Sequence, residues 1–393
     1  MILSDLLEQA TANSRQLIKE IATSQFGSEN PQARTITRRW QPIDAAKMVG
    51  VSKPTIQKAE ADGRLAAPDM TIDAGGRPRR EGYTIQQLHD MMDCFKTRPG
   101  RNADTDQPVV ISVCGHKGGS WKTSTSVYMA QWACMQGYRV LLIDMDPQAT
   151  ASAYHGYIYD LNTTDADTAL PFFMGEESDL GYAIRETSWP GLDVIPAGLG
   201  LQRIETELDQ LDKAGALEFE PHMMLRGGIE SVYDDYDLVI IDGSPNLGEG
   251  TVNMICAADL ILCPTPAELA DYMSTAAFFS GLKGLLQDID LSGFEPDLRV
   301  LITKYNHHPE SAAQWMATQI RQQWGSLVLE NPVAITEEVG KGQIRMLTIY
   351  QQDRGQRSSA KAWHRAQAIW DPVFKEIIAK CVKPRWPSKQ GNS

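Results

Sequence analysis

Six short runs along this chain are apolar at nearly every position: Pro108–Cys114, Val140–Asp144, Leu192–Pro196, Leu238–Asp242, Leu260–Pro264 and Leu298–Thr303. They are rich in leucine and β-branched residues and do not alternate with polar ones. That pattern predicts strands buried on both faces. Helical spacing fills several of the gaps, as over Ser124–Gln136 and Asp271–Gln287. Strand, helix, strand in succession predicts an α/β fold, a parallel sheet flanked by helices. Residues 1–105 carry helical patterns and no long buried strand. A helical pattern returns over about 345–385, with Ile369, Val373, Ile377 and Ile378 as its apolar positions.

Between the head and the first strand lies Arg98-Pro-Gly-Arg-Asn-Ala-Asp-Thr-Asp-Gln-Pro108. Its polar, turn-forming composition predicts an exposed linker. The expected organisation is a helical segment over 1–40, a small domain over 41–105 and the α/β domain over 106–393. A chain of 393 residues has room for two or three domains.

Glycines follow the first apolar run: Cys114-Gly115-His116-Lys117-Gly118-Gly119-Ser120-Trp121-Lys122-Thr123-Ser124. A buried strand, a glycine-rich turn and a helix start form the setting of a phosphate-binding loop. Glycines let backbone amides curl inward, and the helix adds its positive end. Lys122 then falls on the β/γ-phosphates and Thr123 on Mg²⁺. The strict G-x-x-x-x-G-K-[ST] pattern is not met, because His116 and Trp121 stand at its two glycine positions. The match is to K-G-G-x-x-K-[ST], with a second lysine at Lys117. Two carboxylates, Asp144 and Asp146, end the second run, and Asp242 ends the fourth. Open α/β sheets bind ligands at such strand ends, and an acid there suits Mg²⁺.

The head has its own signal in Gln41–Leu65. Ala45, Ala46, Val49 and Val51 fit a short helix ending at Gly50. Ser52 can cap a second helix that accepts Pro54 in its first turn. Helix, glycine turn and capped helix predict a helix-turn-helix. Ser52, Lys53, Thr55, Gln57 and Lys58 would then approach DNA. A basic turn follows, Gly75-Gly-Arg77-Pro-Arg79-Arg80, placed as a wing would be.

Net charge is −13 over the whole chain, but its distribution matters more. Residues 106–340 hold 34 acidic and 11 basic side chains, whereas 341–393 hold 11 basic and 3 acidic. The balance excludes a uniformly basic DNA coat and leaves room for local basic patches. Six scattered cysteines include no C-x-x-C pair, so neither a zinc site nor a disulfide framework is expected. The sequence shows no eighteen-residue apolar run and no signal-peptide pattern. A cytoplasmic protein is expected.

Together the three strand-end segments resemble the deviant Walker A, Walker A′ and Walker B motifs of the ParA/MinD family of P-loop ATPases. With its helix-turn-helix head, the chain is similar to the SopA-like branch of large plasmid-partition ParA proteins. Tyr154–Gly156, Ile204–Leu208, Cys263–Leu269 and Glu338–Met346 extend the likeness over almost the full length. The resemblance implies a P-loop NTPase sheet with an N-terminal winged helix-turn-helix. It implies ATP/ADP and Mg²⁺ as cofactors and a sandwich homodimer, with polymerisation left open.

Residue by residue, the resemblance implies that Lys117 reaches the partner protomer's phosphates and Lys122 its own. Gly118, Gly119, Ser120, Trp121, Thr123 and Ser124 complete the nucleotide site. Thr123, Asp242 and Asp146 attend the metal. Asp146, with Asp144 beside it, orients the attacking water. Thr265 and Pro266 pass the adenine. Lys341 and Arg345 contact nucleoid DNA without sequence preference, and residues 1–40 serve dimerisation.

The implied function is ATP-driven DNA segregation, stimulated by a ParB/SopB-like centromere-binding protein, together with operator-bound autorepression. The alternative is a nucleotide-controlled repressor with no motor role. A membrane-bound MinD-like role is not expected, because the tail Lys380–Ser393 is polar and broken by prolines.

Overall fold

The computed structural model describes residues 3–26, 30–31, 34–72, 75–215, 217–289, 296–306, 308 and 310–389. The chain starts with helix α1 (Leu3–Phe26), which leaves Leu3, Leu7 and Leu17 exposed and pairs Arg15 with Asp160. Helix α2 (Pro42–Val49) ends where Gly50 turns left-handed at φ 77°. Helix α3 (Lys53–Ala61) is capped by Ser52, whose side chain accepts the Thr55 N–H. The short strands β1 (Met70–Ile72) and β2 (Pro78–Arg80) pair antiparallel and stay largely exposed. Helix α4 (Ile85–Phe95) opens with a capping box between Thr84 and Gln87. Ala45, Val49, Ile56 and Ala59 pack in one core with Leu88, Met91 and Met92 of α4.

The central sheet contains β3 (Val109–Val113), β4 (Val140–Asp144), β5 (Arg185–Glu186), β6 (Leu192–Ile195), β7 (Leu238–Asp242), β8 (Leu260–Pro266) and β9 (Asp297–Thr303). Their order across the sheet is β5-β6-β4-β7-β3-β8-β9. Only β5 runs antiparallel. The six apolar runs are the six parallel strands, and β3, β4, β7 and β8 are buried throughout. Strand β5 has two polar residues, too few to show any period.

Helix α5 (Lys122–Met135) follows β3, and α6 (Thr150–Tyr154) follows β4. Helices α7 (Leu170–Phe173), α8 (Ile204–Lys213), α9 (Met224–Glu230) and α10 (Glu249–Ala257) come between β4 and β8. The last four are α11 (Leu269–Asp288), α12 (Ala312–Trp324), α13 (Glu337–Ile344) and α14 (Ala360–Ile377). One apolar core on one face of the sheet runs from the head through α5 to α14. A second fills the opposite face beneath α7 to α11.

The exposed-linker reading of Arg98–Pro108 is corrected. Arg101 is buried, and its guanidinium donates to the Tyr236 and Asp106 carbonyls at 2.8 Å each. Asp106 is buried as well and accepts the Asn102 and Ser388 amides. Polar composition does signal exposure on average, and residues 102–105 are exposed, but Arg101 and Asp106 meet backbone partners from distant segments. The head is therefore fused to the α/β unit. At that seam Gly137 has φ 100°, and a Cβ there would lie 2.6 Å from the Met92 sulfur.

Candidate functional site

Strand β3 leads through Cys114 into the glycine turn, and α5 begins at Lys122. Gly119 turns at φ 73° and Trp121 at φ 75°, both left-handed. Tryptophan in that region costs about 1 kcal/mol or more. Part of this is offset where Trp121 stacks on Trp370 of α14, with ring centroids 6.2 Å apart and planes at 25°. Lys122 is buried, and its Nζ donates to the Lys117 carbonyl at 3.1 Å. The loop thus curls around its own lysine. Burial lowers the Lys122 pKa, although Asp242 and Asp146 work in the other direction.

Lys117 points elsewhere. Its Nζ donates to Asp271 Oδ2 at 2.7 Å, and Asp271 is a buried acid in the first turn of α11. The two lysines of one motif therefore have different assignments. One is enclosed by the loop; the other is held to a neighbouring helix.

Asp144 and Asp242 are directly paired in register on adjacent parallel strands. Both are fully buried. Ser126 Oγ donates to Asp242 Oδ1 at 2.8 Å, while Oδ2 is buried with no hydrogen-bond partner. Burial, then the Asp144 charge beside it, raises the Asp242 pKa well above the carboxylate range. An orphaned acidic oxygen in such a place fits a cation. No group of three His, Cys, Asp or Glu that could hold a metal is present among the described residues. A metal here would depend on Asp242, the adjacent Thr123 hydroxyl and ligand oxygens, which is the donor set Mg²⁺ accepts.

The reading of Asp144 as a water-activating group is corrected. Its Oδ2 accepts the Ser152 amide at 2.8 Å and the Ser152 hydroxyl at 2.7 Å, and its Oδ1 accepts the Asp146 amide at 3.1 Å. Burial pushes its pKa up to about 7. Asp144 anchors the start of α6. Asp146 is half-buried, with Oδ1 accepting the Gln148 amide at 3.0 Å.

Thr265 and Pro266 end β8, with Pro266 in register with Thr303. Thr303 in turn donates to the Ser120 carbonyl at 3.0 Å, so this strand end borders the loop. The Thr265 side chain, however, is fully buried, with Oγ1 3.1 Å from the Thr275 hydroxyl. Any contact of Thr265 with an adenine would therefore come from its backbone. Sequence reasoning missed Asp271 and Lys304. Lys304 follows β9 at φ 51°, with Nζ 3.9 Å from the place a Cβ would take on Gly119. Its position just after a parallel strand was the available signal; a lone helical acid such as Asp271 offered none.

Among the candidate DNA contacts, Lys53, Thr55, Gln57 and Lys58 are exposed on α3, and Arg77 and Arg79 on the hairpin. The Ser52 hydroxyl caps α3, as its position predicted, and Arg80 donates to Glu60 at 2.5 Å. Lys341 and Arg345 are exposed on and just after α13. Gln343 of the same helix donates to Ser124 Oγ at 3.3 Å, tying α13 to the phosphate-loop helix.

A mostly parallel sheet with this loop, this pair of lysines and these strand-end acids defines a P-loop nucleoside triphosphatase with a second lysine in its loop. A family profile described as "AAA domain" matches residues 109–292. The chain is 51% identical to protein SopA of Escherichia coli K12, covering 98% of this chain and 99% of that one. It is 32% identical to the chromosome partitioning protein ParA of Caulobacter vibrioides, over 56% of this chain and 78% of that protein. A solved structure titled "Partition Protein" has the same fold, with TM-score 0.67, 21% identity and coverage of 95% and 98%. The chain belongs to the ParA/SopA family of partition ATPases.

Proposed function

We propose that this protein is the Mg²⁺-dependent ATPase of a plasmid partition system. The observation that carries the reading is the divergence of the two loop lysines. Lys122 already serves the loop of its own protomer, so Lys117 remains for phosphates bound in a second one. In this reading an ATP-bound homodimer buries the nucleotides between protomers, and Lys117 leaves Asp271 to stabilise charge on the partner's phosphates. Asp242 Oδ2 and Thr123 would hold Mg²⁺, which when bound would offset phosphate charge. Asp146 would orient the attacking water. Gly118, Gly119, Ser120 and Ser124 line the nucleotide. A ParB/SopB-like centromere-binding protein would stimulate hydrolysis.

DNA enters the reading in two places. The α2–α3 pair with the β1–β2 hairpin is proposed as a winged helix-turn-helix that reads an operator. Lys341 and Arg345 would hold nucleoid DNA through phosphates only. The exposed leucines of α1 make that helix the proposed dimerisation segment. No helix among the described residues is long and apolar enough to cross a membrane.

The test is binding to a random duplex in Mg²⁺ with ATP, ADP or no nucleotide. Binding that appears only with ATP supports partition. Binding that ignores nucleotide supports the repressor reading, with which the α2–α3 pair is equally compatible. Lys341→Gln is expected to weaken the ATP-dependent binding and lower its salt slope by about 1 while leaving nucleotide affinity unchanged. Parallel loss of nucleotide affinity would point to a damaged site instead.

Trp121→Gly gives a separate test of the loop. The change removes a left-handed tryptophan but loses a ring contact worth about 0.5–1.5 kcal/mol and the apolar area the ring covers, so a moderate loss of stability is expected. Basal phosphate release should rise, because the loop is no longer pinned to α14. An unchanged basal rate removes the basis for Trp121 as a brake.

A further inference from the structure

A cavity of about 460 Å³ opens where the head meets the segment before α14, and a second of about 400 Å³ adjoins it. Arg38, Arg39, Arg79, Arg80, Arg354 and Arg357 line the larger one. Six guanidinium groups around one opening repel one another unless something negative enters.

Three carboxylates, Asp353, Glu81 and Glu60, offset only part of that charge. Asp353 accepts the Thr37 hydroxyl at 2.8 Å and the amides of Gly355 and Gln356 at 2.8 and 3.1 Å. Its oxygens are thus engaged by neutral donors. Glu81 pairs loosely with Arg39 at 3.9 Å, and Glu60 takes Arg80 together with the Tyr83 hydroxyl. Arg79 and Arg354 are exposed, and neither has a carboxylate within ion-pair distance among the described residues. The Nε atoms of Arg39 and Arg357 are buried without an acceptor.

Other arginines of the cluster are fixed in place. Arg357 and Arg38 both lie over the Trp363 ring, at 3.6 and 4.8 Å from its centroid. Arg38 also lies 4.6 Å over Trp40 and donates to the Tyr350 carbonyl at 2.8 Å. Burial, and then the Arg357 charge, lowers the Arg38 pKa to about 9. Stacked guanidiniums lose little freedom on meeting a phosphate.

Strand β2 contributes Arg79 and Arg80 to this cavity, and the Arg80–Glu60 pair fastens β2 to α3. A duplex resting on α3 and the hairpin would run its sugar–phosphate backbone past the opening. We propose that this arginine cleft is a backbone clamp for duplex DNA, shared between the head and the segment before α14. It rests on the DNA-binding reading above and is separate from Lys341 and Arg345. Its ligand is the phosphodiester backbone, so it adds affinity without sequence preference.

The experiment uses the full chain. Anisotropy of a labelled duplex is followed with ATP and with ADP, over about 50 to 200 mM salt. Arg79→Ala/Arg354→Ala is compared with the unsubstituted protein and with Arg79→Lys/Arg354→Lys. The clamp predicts weaker binding to random and operator duplexes alike, and a salt slope reduced by about 1 for each arginine removed. The lysine variant should recover most of that slope. Both side chains are exposed, so nucleotide binding and the thermal midpoint should hold. An unchanged slope in the alanine variant overturns the clamp and removes Arg79 from the wing's contacts, while the α3 contacts stand. Failure of the unsubstituted protein to bind any duplex overturns the DNA reading, and the clamp with it.

Discussion

Lys117→Ala is expected to lower ATP turnover by about 10²–10³-fold, the usual loss when one preorganised donor to transition-state charge is removed. Nucleotide affinity of the isolated protomer should change much less. Lys122 is the lysine that the loop encloses, bonded to the Lys117 carbonyl, and a backbone carbonyl survives the substitution. Asp271 complicates the result, since it is buried and loses its ion-pair partner. An acid left unpaired inside a protein is destabilising in itself. Asp271→Asn separates the two effects: it releases Lys117 without removing it. Turnover lost in Lys117→Ala but kept in Asp271→Asn assigns the loss to the ammonium group. Equal loss in both would mean that the ion pair merely holds the loop in shape. The measurement is phosphate release under single-turnover conditions, beside the fraction of dimer formed with ATP.

Trp370→Ala should cost about 3–5 kcal/mol of stability, as for other fully buried aromatics. Against a typical total of about 5–15 kcal/mol that is a large share. Trp370 touches Trp121 at 6.2 Å, Tyr128 at 4.7 Å and Phe374 at 5.5 Å between centroids. It joins the phosphate loop, α5 and α14 in one aromatic stack. Its removal also takes away what holds Trp121 in a left-handed conformation, so nucleotide binding should weaken as well. Trp370→Phe is the informative control. The indole N–H is buried without an acceptor, so its loss leaves no partner stranded. That variant keeps an aromatic ring and leaves a smaller cavity, so it should lose clearly less than Trp370→Ala. Denaturant titration reads both. A small effect of Trp370→Ala would show that α14 is loosely attached.

The strands were legible because burial on both faces writes itself into consecutive residues. Val109–Val113 and Leu238–Asp242 need no partner to declare their type. The turn at Gly50 and the cap at Ser52 were legible for a related reason: each is a contact within a few residues. Strand β5 was hidden by its length. Arg98–Pro108 misled because exposure was inferred from composition, while Arg101 and Asp106 find partners at Tyr236 and Ser388.

The site divides in the same way. A loop of K-G-G-x-x-K-[ST] pattern between a strand and a helix can be placed from the sequence, since glycine conformations and helix ends are local properties. What holds Lys117 away from the loop could not be. The Lys117–Asp271 contact spans 154 positions, and that between Gln343 and Ser124 spans 219. Asp144 looked like a catalytic acid until Ser152 was seen to occupy it. Sequence by itself determined the sheet, the phosphate loop and the family, because those rest on short-range geometry and continuous burial. Tertiary structure alone decided which charges are held, which are left over and where the arginines gather. Coulombic and hydrogen-bond partners are chosen by distance in space, and distance in space is set only when the chain has closed on itself.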